Sequence, residues 1–171
     1  MRCVIYPGSF DPPTLGHLSL VERSLFLFDR IIVAVARNSA KKTLFTTAER
    51  VDMLRESLAE YDPERVEVDS FEGLLVNYCL DKGASAILRG LRATPDFEYE
   101  FQMALVNRHL SPNIQSVFMM TDSRWLYLSS TIVKEAVSYG ADVSAMVPPP
   151  VAARLKEKLA RRGPGSGQVA V

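Results

Sequence analysis

Alternation is the feature of this chain that most constrains its fold. Five short runs of branched apolar residues, at 3–6, 30–36, 66–69, 86–88 and 116–119, are separated by segments of helical periodicity at 14–28, 48–59, 73–82 and about 95–110. Runs so short and so continuously apolar suit strands covered on both faces, and each amphipathic segment is long enough to return the chain for another parallel strand. The fold class expected is therefore α/β, with a single doubly wound parallel five-stranded sheet, flanking helices and right-handed crossovers. A chain of 171 residues suits one domain, taken as 1–161. Gly163-Pro164-Gly165-Ser166-Gly167 marks 162–171 as a flexible C-terminal tail.

Ligands of such sheets gather beyond the carboxyl ends of the strands, where strand order reverses. That directs attention to the turns at 8–17, 37–45, 89–92 and 125–131. The apolar fraction of 47%, the charged fraction of 23% and the formal net charge of zero exclude a general electrostatic pull toward nucleic acid or membranes, so any anion specificity is local. The two cysteines, Cys3 and Cys79, read as buried reduced thiols, with no disulfide framework or metal cluster. No apolar run approaches the roughly 18 residues needed to span a bilayer and no leader precedes the first strand, so a cytoplasmic setting is expected.

The first turn is Gly8-Ser9-Phe10-Asp11-Pro12-Pro13-Thr14-Leu15-Gly16-His17. It reads as strand, glycine-bounded turn and helix entrance, where unpaired N–H groups and a partial positive charge suit a phosphate. Neither a Gly-x-Gly-x-x-Gly nor a Gly-x4-Gly-Lys-Ser/Thr motif is present, so the phosphate device is a different one. Gly8 and Gly16 permit close backbone approach and Pro7, Pro12 and Pro13 stiffen the turn, with His17 facing the ligand. A histidine at a helix start is otherwise an ordinary cap or surface residue. Thr46-Thr47-Ala48-Glu49 has capping-box spacing, and Ser129-Ser130-Thr131 precedes a helix at 132–139 closed by Gly140. Pro148-Pro149-Pro150 separates that helix from a last, basic one at 151–161.

Several residues carry two readings at this level. Lys41 and Lys42 suit either a solvated loop or a phosphate site. Arg89 and Arg92, in Arg89-Gly90-Leu91-Arg92, have planar forks suited to phosphate oxygens, and are also placed to pair with Asp96 or Glu98. Leu74 and Leu75, and the ring of Phe10, are equally at home in a core. Phe101, Met103, Ala104 and Leu105 suit either the core or a subunit interface.

Thr14-Leu15-Gly16-His17 has the Thr-x-Gly-His form of the nucleotidylyltransferase signature. With Gly8-Ser9-Phe10-Asp11-Pro12, Arg89-Gly90-Leu91-Arg92, Asp96-Phe97-Glu98-Tyr99-Glu100, Asn107-Arg108-His109-Leu110 and Ser129-Ser130-Thr131, the chain resembles the bacterial phosphopantetheine adenylyltransferases over roughly residues 1–160. The resemblance implies a Rossmann-like nucleotidylyltransferase fold. It also implies transfer of the adenylyl group of ATP to 4′-phosphopantetheine, giving dephospho-coenzyme A and pyrophosphate in coenzyme A synthesis, by in-line attack without a covalent enzyme intermediate. The same signature serves other acceptors, such as nicotinate mononucleotide, and a noncatalytic nucleotide sensor on this fold is the alternative of another class.

The residue roles that follow are those implied by the resemblance. His17 stabilises the transition state, with Lys41 and Arg89 as its catalytic partners. ATP is bound by Ser9, Phe10, His17, Gly90, Leu91, Arg92, Glu100, Trp125, Leu126, Tyr127, Leu128, Ser129, Ser130 and Thr131. The acceptor is bound by Ser9, Lys41, Leu75 and Arg89. Ser9 stands where many members carry threonine, which keeps the hydroxyl and loses the methyl. No metal-ligand spacing occurs, so Mg2+ is expected to be carried by ATP phosphates and water. A homohexamer and feedback inhibition by coenzyme A are implied as well.

Overall fold

The computed structural model describes residues 2–37, 42–92 and 94–160, so that Lys41 and the tail from 162 to 171 lie outside the described residues. Strands β1 (Cys3–Gly8), β2 (Arg30–Ala36), β3 (Val66–Phe71), β4 (Ala86–Leu91) and β5 (Gln115–Met120) form one parallel sheet in the order β3-β2-β1-β4-β5. The helices between and after them are α1 (Leu15–Ser24), α2 (Thr47–Ser57), α3 (Leu75–Asp81), α4 (Thr94–Leu110), α5 (Ser130–Ser138) and α6 (Pro149–Ala160). A 3-10 turn, Ser123–Trp125, precedes α5. The architecture is the expected doubly wound sheet. No helix among the described residues is long and apolar enough to cross a membrane.

Side-chain alternation along the strands divides the interior in two. Val4, Tyr6, Ile31, Val33, Val35 and Leu88 face α1 and α2, meeting Leu20, Val21, Val51, Leu54 and Leu58. Cys3, Ile5, Ile32, Ala34 and Ile87 face the other way, against Val76 and Cys79 of α3. Both cysteines are buried and free. A third cluster, including Phe45, Met53, Leu128, Val133, Val147, Val151 and Leu155, docks α5 and α6 beside α2.

Strand register creates the crevice. β1 pairs with β2 throughout, from Cys3 opposite Arg30 to Gly8 opposite Val35. With β4 it pairs only at Val4 opposite Ala86 and Ile5 opposite Ile87. Beyond those residues β1 and β4 part, and this is the switch point, since the chain winds outward to β3 on one side and to β5 on the other.

Several element boundaries differ from the sequence reading, and three have a clear physical reason. β4 runs on through Arg89, Gly90 and Leu91 because they pair with Phe118, Met119 and Met120, so these residues belong to a strand and not to the turn after it. α1 ends at Ser24, whose hydroxyl donates to the Val21 carbonyl at 2.7 Å while the chain tightens into a turn. α3 starts only at Leu75, because Gly73 has φ +86, a left-handed conformation that a helix interior does not contain.

Beyond β1 the backbone is forced. Phe10 has φ 48 and is the one non-glycine residue at positive φ among the described residues. Its ring is buried under Gly8, where an added Cβ would stand 2.9 Å from the ring Cζ. Gly8→Ala therefore overpacks this loop and is expected to cost about 1–3 kcal/mol, read as a lower urea midpoint. A wild-type midpoint would show that the Phe10 ring moves aside freely.

Candidate active site

A cavity of about 460 Å³ occupies the crevice between β1 and β4. Tyr6, Pro7, Arg89 and Gly90 come from the strand ends, and Thr14, Gly16 and His17 from the entrance of α1. Asp96, Tyr99 and Glu100 come from the first turns of α4, and Leu128, Ser129 and Ser130 from the entrance of α5. Arg92, Leu20 and Thr121 complete the wall. Three helices thus begin at one cavity, and their positive ends converge where the bare side-chain charges balance.

His17 owes its orientation to a capping box. Thr14 is the N-cap of α1 and His17 is N3, the position usually held by Glu or Gln. The backbone N–H of Thr14 donates to Nδ1 of His17 at 3.0 Å, and the His17 N–H donates back to Thr14 Oγ1 at 3.4 Å. Because Nδ1 accepts, the proton of the neutral ring sits on Nε2. Phe10 supports the ring edge-to-face at a centroid distance of 5.1 Å. Burial, reinforced by the positive charge of Arg92, pushes the His17 pKa down to about 4. At neutral pH the group is therefore an uncharged N–H donor, and an anion placed against it would favour the protonated form.

That depressed pKa has a stability consequence. The unfolded chain takes up a proton at His17 near pH 6.5 and the folded chain only near pH 4, so unfolding binds a proton between those values. The contribution is fully present above pH 6.5 and is lost as pH falls to about 4. His17→Gln, which cannot titrate, is expected to flatten the fall in urea-unfolding free energy across this window. An unchanged slope would show that His17 is not the group responsible.

The two arginines are both held by carboxylates of α4. Arg89 Nε lies 3.1 Å from Glu100 Oε2, and Arg89 Nη1 donates to the Pro7 carbonyl at 3.4 Å. Glu100 Oε2 is nevertheless buried without an aligned hydrogen-bond donor. Arg92 forms a fork with Asp96, Nε to Oδ2 at 2.9 Å and Nη2 to Oδ1 at 3.1 Å, and its Nη1 donates to the Leu128 carbonyl at 3.3 Å. Arg92 thereby ties β4, α4 and the approach to α5 together. The pairing with Asp96 is one of the two partners open to it in the sequence; Glu98 is exposed and plays no such part.

At the third entrance, Ser129 caps α5 by accepting from the Ile132 N–H at 3.1 Å, and Ser130 Oγ donates to the Pro12 carbonyl at 2.7 Å. Capping and cavity lining are thus combined in Ser129, while Ser130 lines the cavity and ties the α5 entrance to the loop before α1.

Of the residues singled out in the sequence, His17, Arg89, Gly90, Arg92, Glu100, Leu128, Ser129 and Ser130 meet in the cavity wall. Phe10 and Leu91 are buried, Phe10 behind His17. Ser9 is half-buried outside that wall, with its carbonyl accepting from Arg50 Nη1 at 2.6 Å. Trp125 is half-buried against the third cluster, while Leu126, Tyr127 and Thr131 are exposed near the rim of α5. Leu75 packs against the second cluster and its neighbour Leu74 is exposed. Among the described residues no group of three or more His, Cys, Asp or Glu is arranged to hold a metal ion.

Tyr6 and Thr121 line the cavity without having been singled out in the sequence, since a strand tyrosine and a threonine after β5 carry no local signal, and Tyr99, noted within the Asp96-to-Glu100 motif, lines it as well. The capping role of Thr14 went unread, with the helical segment begun at Thr14 itself, although Thr14-x-x-His17 has the same spacing as Thr46-x-x-Glu49.

The chain matches the sequence profile of the cytidylyltransferase-like family over residues 5–136. It is 57% identical to a phosphopantetheine adenylyltransferase of Desulfosudis oleivorans over 159 residues, covering 93% of this chain and 94% of that one. It is 52% identical to the phosphopantetheine adenylyltransferase of Carboxydothermus hydrogenoformans over 163 residues, 95% and 99% of the two chains. The enzyme of that name in Geobacter sulfurreducens is 53% identical over 93% of this chain and 96% of its own. Among solved structures, a putative nicotinate-nucleotide adenylyltransferase from Vibrio parahaemolyticus superimposes with a TM-score of 0.66 at 20% identity, covering 95% of this chain and 98% of the other, a likeness of fold.

Proposed function

Since the chain belongs to the phosphopantetheine adenylyltransferases, nucleotidyltransferases of coenzyme A synthesis, we propose that its β1–β4 cavity carries out direct adenylyl transfer from ATP to 4′-phosphopantetheine. A phosphate oxygen of the acceptor attacks the α-phosphorus in line. The new P–O bond forms as the bond to the β-phosphate oxygen breaks, and pyrophosphate leaves with the electron pair. A phosphate dianion is already nucleophilic at neutral pH, so neither a covalent enzyme intermediate nor a general base is needed, and positioning with charge stabilisation supplies the acceleration.

The observation carrying this reading is the neutral His17 with Nδ1 occupied by its own cap. The remaining Nε2–H is a fixed donor for a nonbridging oxygen of the α-phosphate, where negative charge grows during transfer. Arg89 would bridge the acceptor and transferred phosphates together with Lys41, and Gly90, Leu91 and Arg92 would face ATP. The buried Glu100 Oε2 that lacks a donor suits a ribose hydroxyl. Ser129 and Ser130, with Trp125, Leu126, Tyr127, Leu128 and Thr131 around them, would close over the phosphates and adenine. Ser9 and Phe10 would present the loop backbone, and Leu75 would border the pantetheine arm.

Mg2+ fits this site as a passenger on ATP. Asp96 and Glu100 are already engaged by arginines, so the cavity offers the ion no carboxylate cage, and phosphate oxygens and water would form its shell. Bound in that way it would neutralise charge on the leaving pyrophosphate. The exposed apolar stripe of α4, including Phe97, Phe101 and Leu105, suits a subunit interface, and the homohexamer implied by the family would be the assembly that covers it. Coenzyme A, which carries the groups of both substrates, would inhibit by occupying the same cavity.

The test is pyrophosphate release from MgATP with a panel of acceptors. Release dependent on 4′-phosphopantetheine, with dephospho-coenzyme A formed in equal amount, is expected. Folded protein that acts on nicotinate mononucleotide instead, or that binds ATP and turns over no acceptor, would sink the reading.

A further inference from the structure

Behind the cavity, outside its wall, lie three charged side chains that the proposed chemistry does not use. Asp11, in the loop between β1 and α1, is 2% exposed. Its Oδ2 accepts the Leu44 N–H at 2.9 Å and its Oδ1 the Phe45 N–H at 2.9 Å. Lys134, in the second turn of α5, reaches Asp11 Oδ2 with Nζ at 3.2 Å. Arg50 of α2 is 3% exposed and donates to four oxygens: Ser9 O at 2.6 Å, Ala36 O at 3.3 Å, Thr46 O at 3.3 Å and Thr47 Oγ1 at 2.9 Å.

The partners of this cluster follow a pattern. Ser9 and Asp11 belong to the loop that ends in His17. Ala36 is the last residue of β2, and Leu44 to Thr46 lead into α2, so the contacts fall on both flanks of the segment that carries Lys41. Lys134 belongs to the helix whose entrance supplies Ser129 and Ser130, and Ser130 independently holds the Pro12 carbonyl. Three stretches that each contribute a group to the proposed transfer are fastened at their bases by one buried cluster. Stability alone is a poor reason for it, since buried ion pairs replaced by well-packed apolar groups commonly leave a protein as stable or more so. Directional bonds to the backbone at Ser9, at Ala36 and along Leu44 to Thr46 do what apolar packing does less well, which is to fix distances between them.

We propose that Asp11, Arg50 and Lys134 are positioning residues for adenylyl transfer, holding the His17 loop, the flanks of the Lys41 segment and the start of α5 at the separation the in-line geometry requires. None of them touches substrate. The expected signature is a loss in kcat with little change in KM, because misplacement of reacting groups is felt in the transition state more than in ground-state binding. This rests on the adenylyl-transfer reading, and wild-type turnover measured alongside separates a failure of that reading from a failure of the cluster.

The experiment compares full-length wild-type protein with Lys134→Met and Lys134→Arg, reading steady-state kinetics and amide hydrogen exchange. For Lys134→Met, kcat is expected to fall about 10- to 100-fold with both KM values within about threefold. Exchange at the Leu44 and Phe45 amides should accelerate while amides of β2 keep their protection, and Lys134→Arg should restore most of the turnover. Unchanged kcat in folded Lys134→Met overturns the proposal, as does a change confined to KM. It is also overturned if Leu44 and Phe45 stay fully protected, or if the β2 amides loosen equally, since the cluster would then be a global staple. Should Lys134→Met not fold, Lys134→Gln, which keeps a donor toward Asp11 without the charge, is read by the same criteria. Failure of that variant to fold as well assigns the cluster to stability and overturns positioning.

Discussion

His17→Ala is expected to lower kcat by about 10²–10³-fold, the usual consequence of removing one fixed donor from a developing oxyanion. The position of His17 in a capping box makes a sharper experiment possible. Alanine removes both the Nε2 donor and the Nδ1 acceptor for the Thr14 N–H, so it should also cost about 1 kcal/mol of stability. Glutamine at the same position can accept the Thr14 N–H as a normal capping-box residue, yet it does not present an imidazole N–H at the same point. The expected result is that both variants lose turnover while only alanine lowers the urea midpoint. Near-wild-type turnover in either variant would remove the transition-state role. A loss of turnover in step with stability would reduce His17 to a cap.

Arg89→Ala is expected to have the next largest effect, lowering kcat/KM by about 10²-fold or more through loss of a charged fork aimed at phosphate. It also leaves Glu100 without its partner in a site where that carboxylate is about four-fifths buried, with a side-chain exposure of 19%. An unpaired polar group in such a place costs about 1–3 kcal/mol. Adding Glu100→Gln should return much of that stability and none of the turnover, because the amide removes the stranded charge without supplying a phosphate ligand. Unfolding midpoints and kcat/KM for the two single variants and the double variant complete the cycle. Recovery of turnover in the double variant would show that Arg89 acts only by neutralising Glu100.

The cavity in the bare protein also carries a design that these variants probe. Each arginine waits on a carboxylate of α4, one turn apart at Asp96 and Glu100, so the guanidinium forks are oriented before any phosphate arrives. Orientation in advance lowers the ordering cost of binding, and a phosphate dianion in the proposed site would compete with the carboxylates for the same N–H groups.

How much of this was readable beforehand differs from residue to residue. The five strands and the helices between them were legible because burial on both faces of a sheet writes a local pattern, and Thr14 to His17 announced itself because a strand-to-helix turn with fixed spacing is local too. Arg89 and Arg92 were recognised as candidates, with Asp96 as one of two partners in view. The strand setting of Arg89, Gly90 and Leu91 was missed, since pairing with Phe118, Met119 and Met120 depends on a distant segment of the chain. The partners of Asp11 were not legible at all, because in the fold it is buried and engaged by Leu44, Phe45 and Lys134 from distant parts of the chain.

By itself, then, the sequence determined the fold class, the entrance of α1 as a candidate phosphate site, and the family. Each rests on residues close together along the chain, where periodicity and steric rules operate without knowledge of the whole. The tertiary structure alone decided which residues share the cavity, which nitrogen of His17 carries the proton, and that Lys134 meets Asp11 across 123 positions of sequence. Those outcomes depend on strand order: once β1 and β4 diverge at the centre of the sheet, the entrances of three helices converge on one space, and no local pattern encodes that convergence.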